Sequence, residues 1–186
     1  MYPVSITDDR GVMLREFTAD DVDAVLAVYG DPKVTAHLSF EPRTRDQVAQ
    51  TLKSVMAASQ EEHRTEYSLA VVYDGQTIGF ARLAVDAQHP GQSSAQLGFA
   101  LRASHWGQGL GAATVRLLLR LGFQELGLYR LWGARSPDNL VSARLMSSLG
   151  MIEEGRIRGH IRVRGQWRDS IVHSILADEW HDQRAT

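Results

Sequence analysis

Apolar and polar positions along this chain follow two different periods. VMLREF (Val12 to Phe17) reads as a strand, and TADDVDAVLAVYG from Thr18 predicts a helix. Thr18 is an N-cap residue type there, and the acids behind it suit the positive end of the helix dipole. DPKVTAHLSFEPR has no period and reads as a loop, whereas TRDQVAQTLKSVMAASQEE repeats at helical spacing. YSLAVVYDGQTIGFARLAV predicts two strands around Asp74-Gly75, a dipeptide suited to a tight hairpin. SAQLGFALR is another strand, interrupted by Gly98; a glycine inside a strand suggests a bulge or a close backbone approach. HWGQGLGAAT then leads into VRLLLRLGF, a helix running to about Leu126, with Gly127 placed to end it. LYRLWGAR reads as a strand and PDNLVSARLMSSLG as a helix closed by Gly150. From Met151 to Trp180 the chain reads as strands and turns, with arginines alternating with Ile157, Ile161 and Val163. The order β-α-α-β-β-β-α-β-α-β-β predicts an α/β protein, a mixed sheet with helices on both faces.

Composition narrows the picture. The chain has 186 residues, enough for one domain with a substantial core, and no repeat or linker divides residues 1–186. Its net charge of −2 argues against wholesale nucleic-acid binding. No secretory leader and no membrane span is read. There is no cysteine, which removes disulfides and thiolate chemistry and fits a reducing, cytoplasmic compartment. The seven histidines form no ligand-spaced motif, so no metal is expected.

Gly107, Gly109 and Gly111 need an explanation, because glycine inside a helix costs about 1 kcal/mol against alanine. One reading is a tight turn whose glycines merely permit positive φ. The other is an anion site: a helix start offers unpaired N–H groups, and glycines let an anion reach them. The sequence has no Gly-Lys-Ser/Thr, so it is not a P-loop. GQGLGA fits a dinucleotide pattern, but several strands precede it and the expected later acid is missing. Gly98 adds a further clue. A strand that parts from its neighbour just before a phosphate cradle suits coenzyme A, whose extended amide arm lies next to a pyrophosphate.

From Gln96 to Trp180 the chain resembles the GNAT acyltransferases, specifically the RimJ/RimL-type branch, which includes ribosomal-protein N-terminal acetyltransferases; polyamine acetyltransferases carry similar motifs. The Q/R-x-x-G-x-G/A core falls on Trp106, Gly109 and Gly111, with tryptophan at its first position. N-x-x-S falls on Asn139 and Ser142, followed by LGM; EG-x-x-R falls on Glu154, Gly155 and Arg158; G-x-W-x-D falls on Gly165, Trp167 and Asp169. The resemblance implies a central bulged mixed sheet and acetyl-CoA as acyl donor. It implies that the Phe99, Ala100 and Leu101 backbone pairs with pantetheine, and that an N–H near the bulge polarises the thioester carbonyl. The amides of Trp106, Gly107, Gln108, Gly109, Leu110, Gly111 and Ala112 would hold the pyrophosphate.

Asn139, Ser142, Ala143 and Met146 share one helix face by spacing, and the resemblance turns that face toward the CoA thiol. Many relatives have a tyrosine acid where this chain has Met146, so Ser142 becomes the candidate acid; the alternative is a surface serine bonded to its own helix. Many also have glutamate where this chain has Gln96, which cannot accept a proton near neutrality but could orient a water or bind the acceptor. Glu41, His37, Asp169 and His173 are candidate distant bases, each with an ordinary structural reading. Tyr29, His37, Leu38 and Phe40 lie near the first helix and the following loop, where the family shapes its acceptor pocket, and read either as substrate contacts or as core and loop anchors. The expected partner is an amine, either a peptide N-terminus or a small molecule, and a homodimer is compatible with the reading. Arg156, Arg158, Arg162, Arg164 and Arg168 read first as a solvated strand face and second as an RNA-facing run. Two other functions stay open: a CoA-binding sensor without catalysis, and transfer from another donor such as an aminoacyl-tRNA.

Overall fold

The computed structural model describes residues 3–89, 91 and 93–181. It contains one eight-stranded sheet, in the order β1-β2-β3-β4-β5-β6-β8-β7. The strands are β1 Ser5–Thr7, β2 Met13–Glu16, β3 Glu66–Tyr73, β4 Gln76–Val85, β5 Ser94–Leu101, β6 Arg130–Arg135, β7 Ile152–Val163 and β8 Gln166–Leu176. The helices are α1 Val22–Tyr29, α2 Pro32–Thr35, α3 Arg45–Ala58, α4 Leu110–Arg120 and α5 Leu140–Ser148. All neighbouring strands are antiparallel except β5 and β6. Among the described residues no helix is long and apolar enough to cross a membrane.

Each face of the sheet carries its own core. On one face Leu14, Leu69, Val71, Ile78 and Leu83 pack with Leu110, Leu117 and Leu118 of α4 and Met146 of α5. On the other, Phe17, Ala70 and Val72 meet Val25 of α1 and Val48 and Leu52 of α3. The alternation of β3 explains this directly: Leu69 and Val71 face α4 while Ala70 and Val72 face α1 and α3. α4 is buried on almost every side, leaving Arg116 exposed, and it continues as a π turn over Leu121–Glu125 before Gly127.

Three elements depart from the sequence reading. β1 precedes the first expected strand, pairing Ser5 with Arg15; three residues are too few to show a period. α2 lies within the expected loop: Asp31 caps it by accepting from the Lys33 N–H at 2.8 Å, and Pro32 opens it. No bulge forms at Gly98 against β4, where the register runs unbroken from Gly79↔Leu101 to Val85↔Ala95. Register shifts lie instead between Val71 and Val72 of β3 and, in β7, between Glu153 and Gly155 and between Ile157 and Ile161. A Cβ added at Gly98 would meet nothing within 4 Å; the glycine leaves room on the sheet surface rather than bending the strand.

One buried ion pair ties the first helical turn to the sheet. Asp21 is 4% exposed and accepts from both Nη atoms of Arg15 (2.7 and 2.9 Å), from Thr77 Oγ1 (2.6 Å) and from the Thr18 N–H (2.8 Å). Burial alone would raise the Asp21 carboxyl, but these hydrogen bonds outweigh it and hold it below the ordinary carboxylate range. A depressed pKa stabilises the fold above the unfolded value, about 3.9, and that contribution disappears as pH falls through the folded value. Asp21→Ala leaves Arg15 without its carboxylate partner and is expected to cost about 3 kcal/mol. Urea midpoints of the two proteins at pH 7 and pH 3 check this, with the difference smaller at pH 3.

Candidate functional site

β5 and β6 run side by side only over Ser94–Gln96 and Arg130–Trp132, although β5 continues to Leu101 and β6 to Arg135. Beyond that point the two strands part. Peptide groups alternate in direction along a strand. The Tyr129 N–H reaches the Ser93 carbonyl across the parallel side (2.7 Å), whereas the Arg102 N–H reaches the Ile78 carbonyl on the β4 side (2.8 Å). Odd-numbered residues of β5 therefore turn their backbone groups toward the gap. The Leu97 N–H is taken by the pairing with Trp132 and only its carbonyl stays open; Phe99 offers both peptide groups to the gap, Ala100 is turned to Phe80 of β4, and the Leu101 carbonyl accepts the Trp106 indole N–H at 2.9 Å. Of the expected trio Phe99, Ala100 and Leu101, only Phe99 keeps both backbone groups available to a ligand.

The glycine stretch stands at the end of this gap. Gly107 and Gly109 have φ of +74° and +76°, the left-handed region that glycine adopts without strain. Gly109 caps α4, and the first intrahelical bond runs from the Ala113 N–H to the Gly109 carbonyl (3.1 Å). The N–H groups of Leu110, Gly111 and Ala112 thus have no partner within the helix. Gly111 is needed for another reason: a Cβ there would lie 3.0 Å from Leu145 Cδ1 and 3.4 Å from Phe99 Cε2. Trp106 departs from expectation, because its own N–H closes a turn onto the Ala103 carbonyl (3.2 Å). The open amides begin at Gly107. Arg10, which sequence reading missed, reaches across from the β1–β2 turn. It donates to the Gln108 carbonyl at 3.0 Å, and a Cβ at Gly109 would meet its Nη1 at 2.4 Å. An anion at this helix start would meet backbone N–H groups and a guanidinium together.

A cavity of about 600 Å³ opens beside the gap. Gln96, Gly98 and Phe99 line it from β5, Gly133 to Arg135 from β6, and Asn139, Ser142 and Met146 from α5. The expected acceptor residues Tyr29, His37, Leu38 and Phe40 line it too. Asn139 caps α5, its Oδ1 accepting the Ser142 N–H at 3.0 Å. The Ser142 hydroxyl, half-buried, has no hydrogen bond among the described residues. It is therefore not spent on its own helix, unlike Thr114 Oγ1, which donates to the Leu110 carbonyl at 2.8 Å. Arg135 steadies the turn before α5: its guanidinium donates to the Ser136 and Pro137 carbonyls, to His173 Nε2 and to Glu153.

Beside the expected Gln96 of β5, the cavity holds polar groups that the sequence reading overlooked: Glu66 and Ser68 of β3 and Arg82 of β4 share its face, in the cross-strand rows Glu66–Ala84–Gln96 and Ser68–Arg82–Gly98. Arg82 donates twice to Glu66 (2.9 and 2.8 Å) and Ser68 once (3.0 Å). The bond from Arg82, working against burial, holds the Glu66 carboxyl below its usual range. Burial pushes the Tyr29 phenol up to about 12. The alternation of charged with apolar residues in EYSLAVVY and FARLAV carried this signal, but it first reads as an ordinary solvent-facing side.

The distant bases separate clearly. His37 lines the cavity and Glu41 does not. Asp169 is committed to Arg156 (2.6 Å) and the Gly159 N–H (2.7 Å). His173 is 1% exposed and accepts from Arg135, and burial, then Arg135, lowers its pKa. From the arginine run, Arg164 and Arg168 reach the carbonyls of Thr35 and Leu38 at 3.1 Å, tying the β7–β8 hairpin to the acceptor-side loop.

Comparison with known proteins agrees with this geometry. Residues 12–152 match the family described as "Acetyltransferase (GNAT) domain". An "Uncharacterized N-acetyltransferase p20" of Bacillus licheniformis is 28% identical over 168 residues, 90% of this chain and 93% of that protein. The "[Ribosomal protein uS5]-alanine N-acetyltransferase" of Escherichia coli is 25% identical over 84 residues, 45% of this chain and 43% of that protein. Mycobacterium smegmatis RimJ, solved with CoA-disulfide, superposes with a TM-score of 0.82 at 21% identity, over 96% of this chain and 91% of that one. With three-quarters of its length under the family match and the parted strands, glycine-led helix and shared cavity in place, the chain belongs to the GNAT family of N-acetyltransferases.

Proposed function

We propose that this protein transfers an acetyl group from acetyl-CoA to an amine by direct attack within a ternary complex. The carrying observation is the parting of β5 from β6 beside the glycine-led start of α4, with one cavity reaching from Ser142 to Tyr29. Free peptide edges on β5 suit an amide-bearing arm, and the α4 amides with Arg10 suit a pyrophosphate. Acetyl-CoA, when bound, supplies the thioester. Gln96 binds the acceptor or orients a water, and Ser142 Oγ holds the proton that the departing sulfur needs. The Phe99 N–H, which faces the gap, would polarise a carbonyl there, a contribution worth about 2.7–4 kcal/mol for a good donor. The uS5-alanine acetyltransferase among the relatives supports an α-amine acceptor.

The test is mass spectrometry for co-purified CoA species, then thiol release with a panel of amines. CoA binding with no turnover on any amine would make the protein a sensor. Weak acetyl-CoA binding alongside tRNA-dependent transfer would point to another donor.

A variant checks the cradle. Gly109→Val places a branched side chain in left-handed backbone, costing about 1–2 kcal/mol, and forces Arg10 aside. Acetyl-CoA affinity by calorimetry is expected to fall at least about tenfold, since an anion at the helix start loses charge-assisted bonds. Arg10→Gln leaves the backbone alone and is expected to produce a smaller loss. Unchanged affinity in both folded variants would remove the pyrophosphate assignment.

A further inference from the structure

The cavity's charges do not balance. Arg43, Arg82, Arg135 and Arg168 line it against one carboxylate, Glu66. Glu66 is engaged by Arg82 through two bonds, and Arg135 is compensated from outside the cavity by Glu153 at 3.0 Å. Arg43 and Arg168 have no ion-pair partner among the described residues. Both stand against the same short segment: Arg168 donates to the Leu38 carbonyl (3.1 Å), and the Arg43 guanidinium lies 4.4 Å from the Phe40 ring centroid and 5.2 Å from that of Tyr29. Arg43 makes one side-chain hydrogen bond, to Thr51 Oγ1 at 2.8 Å. A guanidinium has five N–H donors, so most of this fork is unused. Two adjacent aromatic rings hold it in place without neutralising it. A half-buried, oriented and unpaired arginine is built to accept a planar anion.

Resting on the acetyltransferase reading above, we propose that the acceptor amine carries a carboxylate, and that this group docks on the wall formed by Arg43 and Arg168. The ammonium-seeking alternative would use Glu66. That carboxylate already accepts from Arg82 and Ser68, and a polycation entering the cavity would meet arginines at each end. The carboxylate can come from a small amino acid or from an acidic side chain near a peptide's start.

The experiment compares matched acceptors by kcat/KM at saturating acetyl-CoA, each rate divided by the neutral fraction of its amine: alanine against alaninamide, a C-amidated Ser-Asp against a C-amidated Ser-Asn peptide, and spermidine. At least one acidic member is expected to exceed its neutral partner by about tenfold, and the ratio to shrink as salt rises. Whichever pair shows the advantage identifies the source. In Arg43→Gln the acid-to-neutral ratio is expected to collapse toward one, and Arg43→Lys to keep an intermediate ratio. A ratio is read within each protein, so partial misfolding does not mimic the result; Arg168→Gln is an independent variant on the same wall. Equal turnover of acidic and neutral partners, or preference for spermidine, overturns the proposal and leaves acetyl transfer standing. No transfer to any amine despite acetyl-CoA binding overturns the acetyltransferase reading, and the proposal with it.

Discussion

Ser142→Ala is expected to lower kcat by about 10²-fold or more while leaving the KM for acetyl-CoA within a few-fold. General-acid loss typically costs about 10²–10⁴-fold when proton delivery limits the rate, and an interaction made only in the transition state appears in kcat rather than in binding. The geometry makes the variant clean. Asn139 caps α5 through the Ser142 backbone N–H, which alanine keeps. The hydroxyl supports no other group among the described residues, and alanine is the better helix former. Met146, one turn along the same face and 2% exposed, has no proton to donate. Wild-type turnover in Ser142→Ala would mean that water protonates the sulfur. Asn139→Ala is the complementary probe, expected to cost about 1 kcal/mol of stability through the lost cap.

Much of this arrangement was legible in the sequence because local chemistry dictated it. Asp74-Gly75 forces the β3–β4 turn, with positive φ at both residues. Gly107 and Gly109 occupy the left-handed backbone that would exclude most other residues, and Gly127 and Gly150 end their helices as expected. Asn139, Ser142 and Met146 meet the cavity together because helical spacing puts them on one face. What stayed hidden depends on tertiary approach. Arg10 is 98 residues from Gln108 and nothing local marks it. Glu66, Arg82 and Gln96 converge only once three strands are in register. Gly98 showed its importance but not its reason: it signalled a bulge, and the structure gives it a flat register facing open space.

Native protein is expected to turn over a peptide α-amine about 10²-fold faster, in kcat/KM near pH 7.5, than a lysine side-chain analogue. An amine must be neutral to attack a thioester. An α-amino group has a pKa of about 7.7–8 and a lysine about 10.4, so roughly a third of the first and about 0.1% of the second is neutral at that pH. The cavity gives little help in removing the extra proton. Gln96 is not a base, and Glu66, held low by Arg82, is a weak one. The α-amine rate should therefore level off above about pH 8, while the lysine-analogue rate climbs about tenfold per unit toward pH 10. Gln96→Glu would place a carboxylate on the cavity face and should help the lysine analogue more than the α-amine. A gain of about tenfold is expected, below the usual general-base range of 10²–10⁴, because Arg82 sits diagonally across the β4–β5 pair and would draw the new carboxylate down. Equal or better native turnover of the lysine analogue at neutral pH would defeat this account and place a base elsewhere in the cavity. His37→Gln would then be the variant to find it, since His37 lines the acceptor end beside Tyr29 and Phe40.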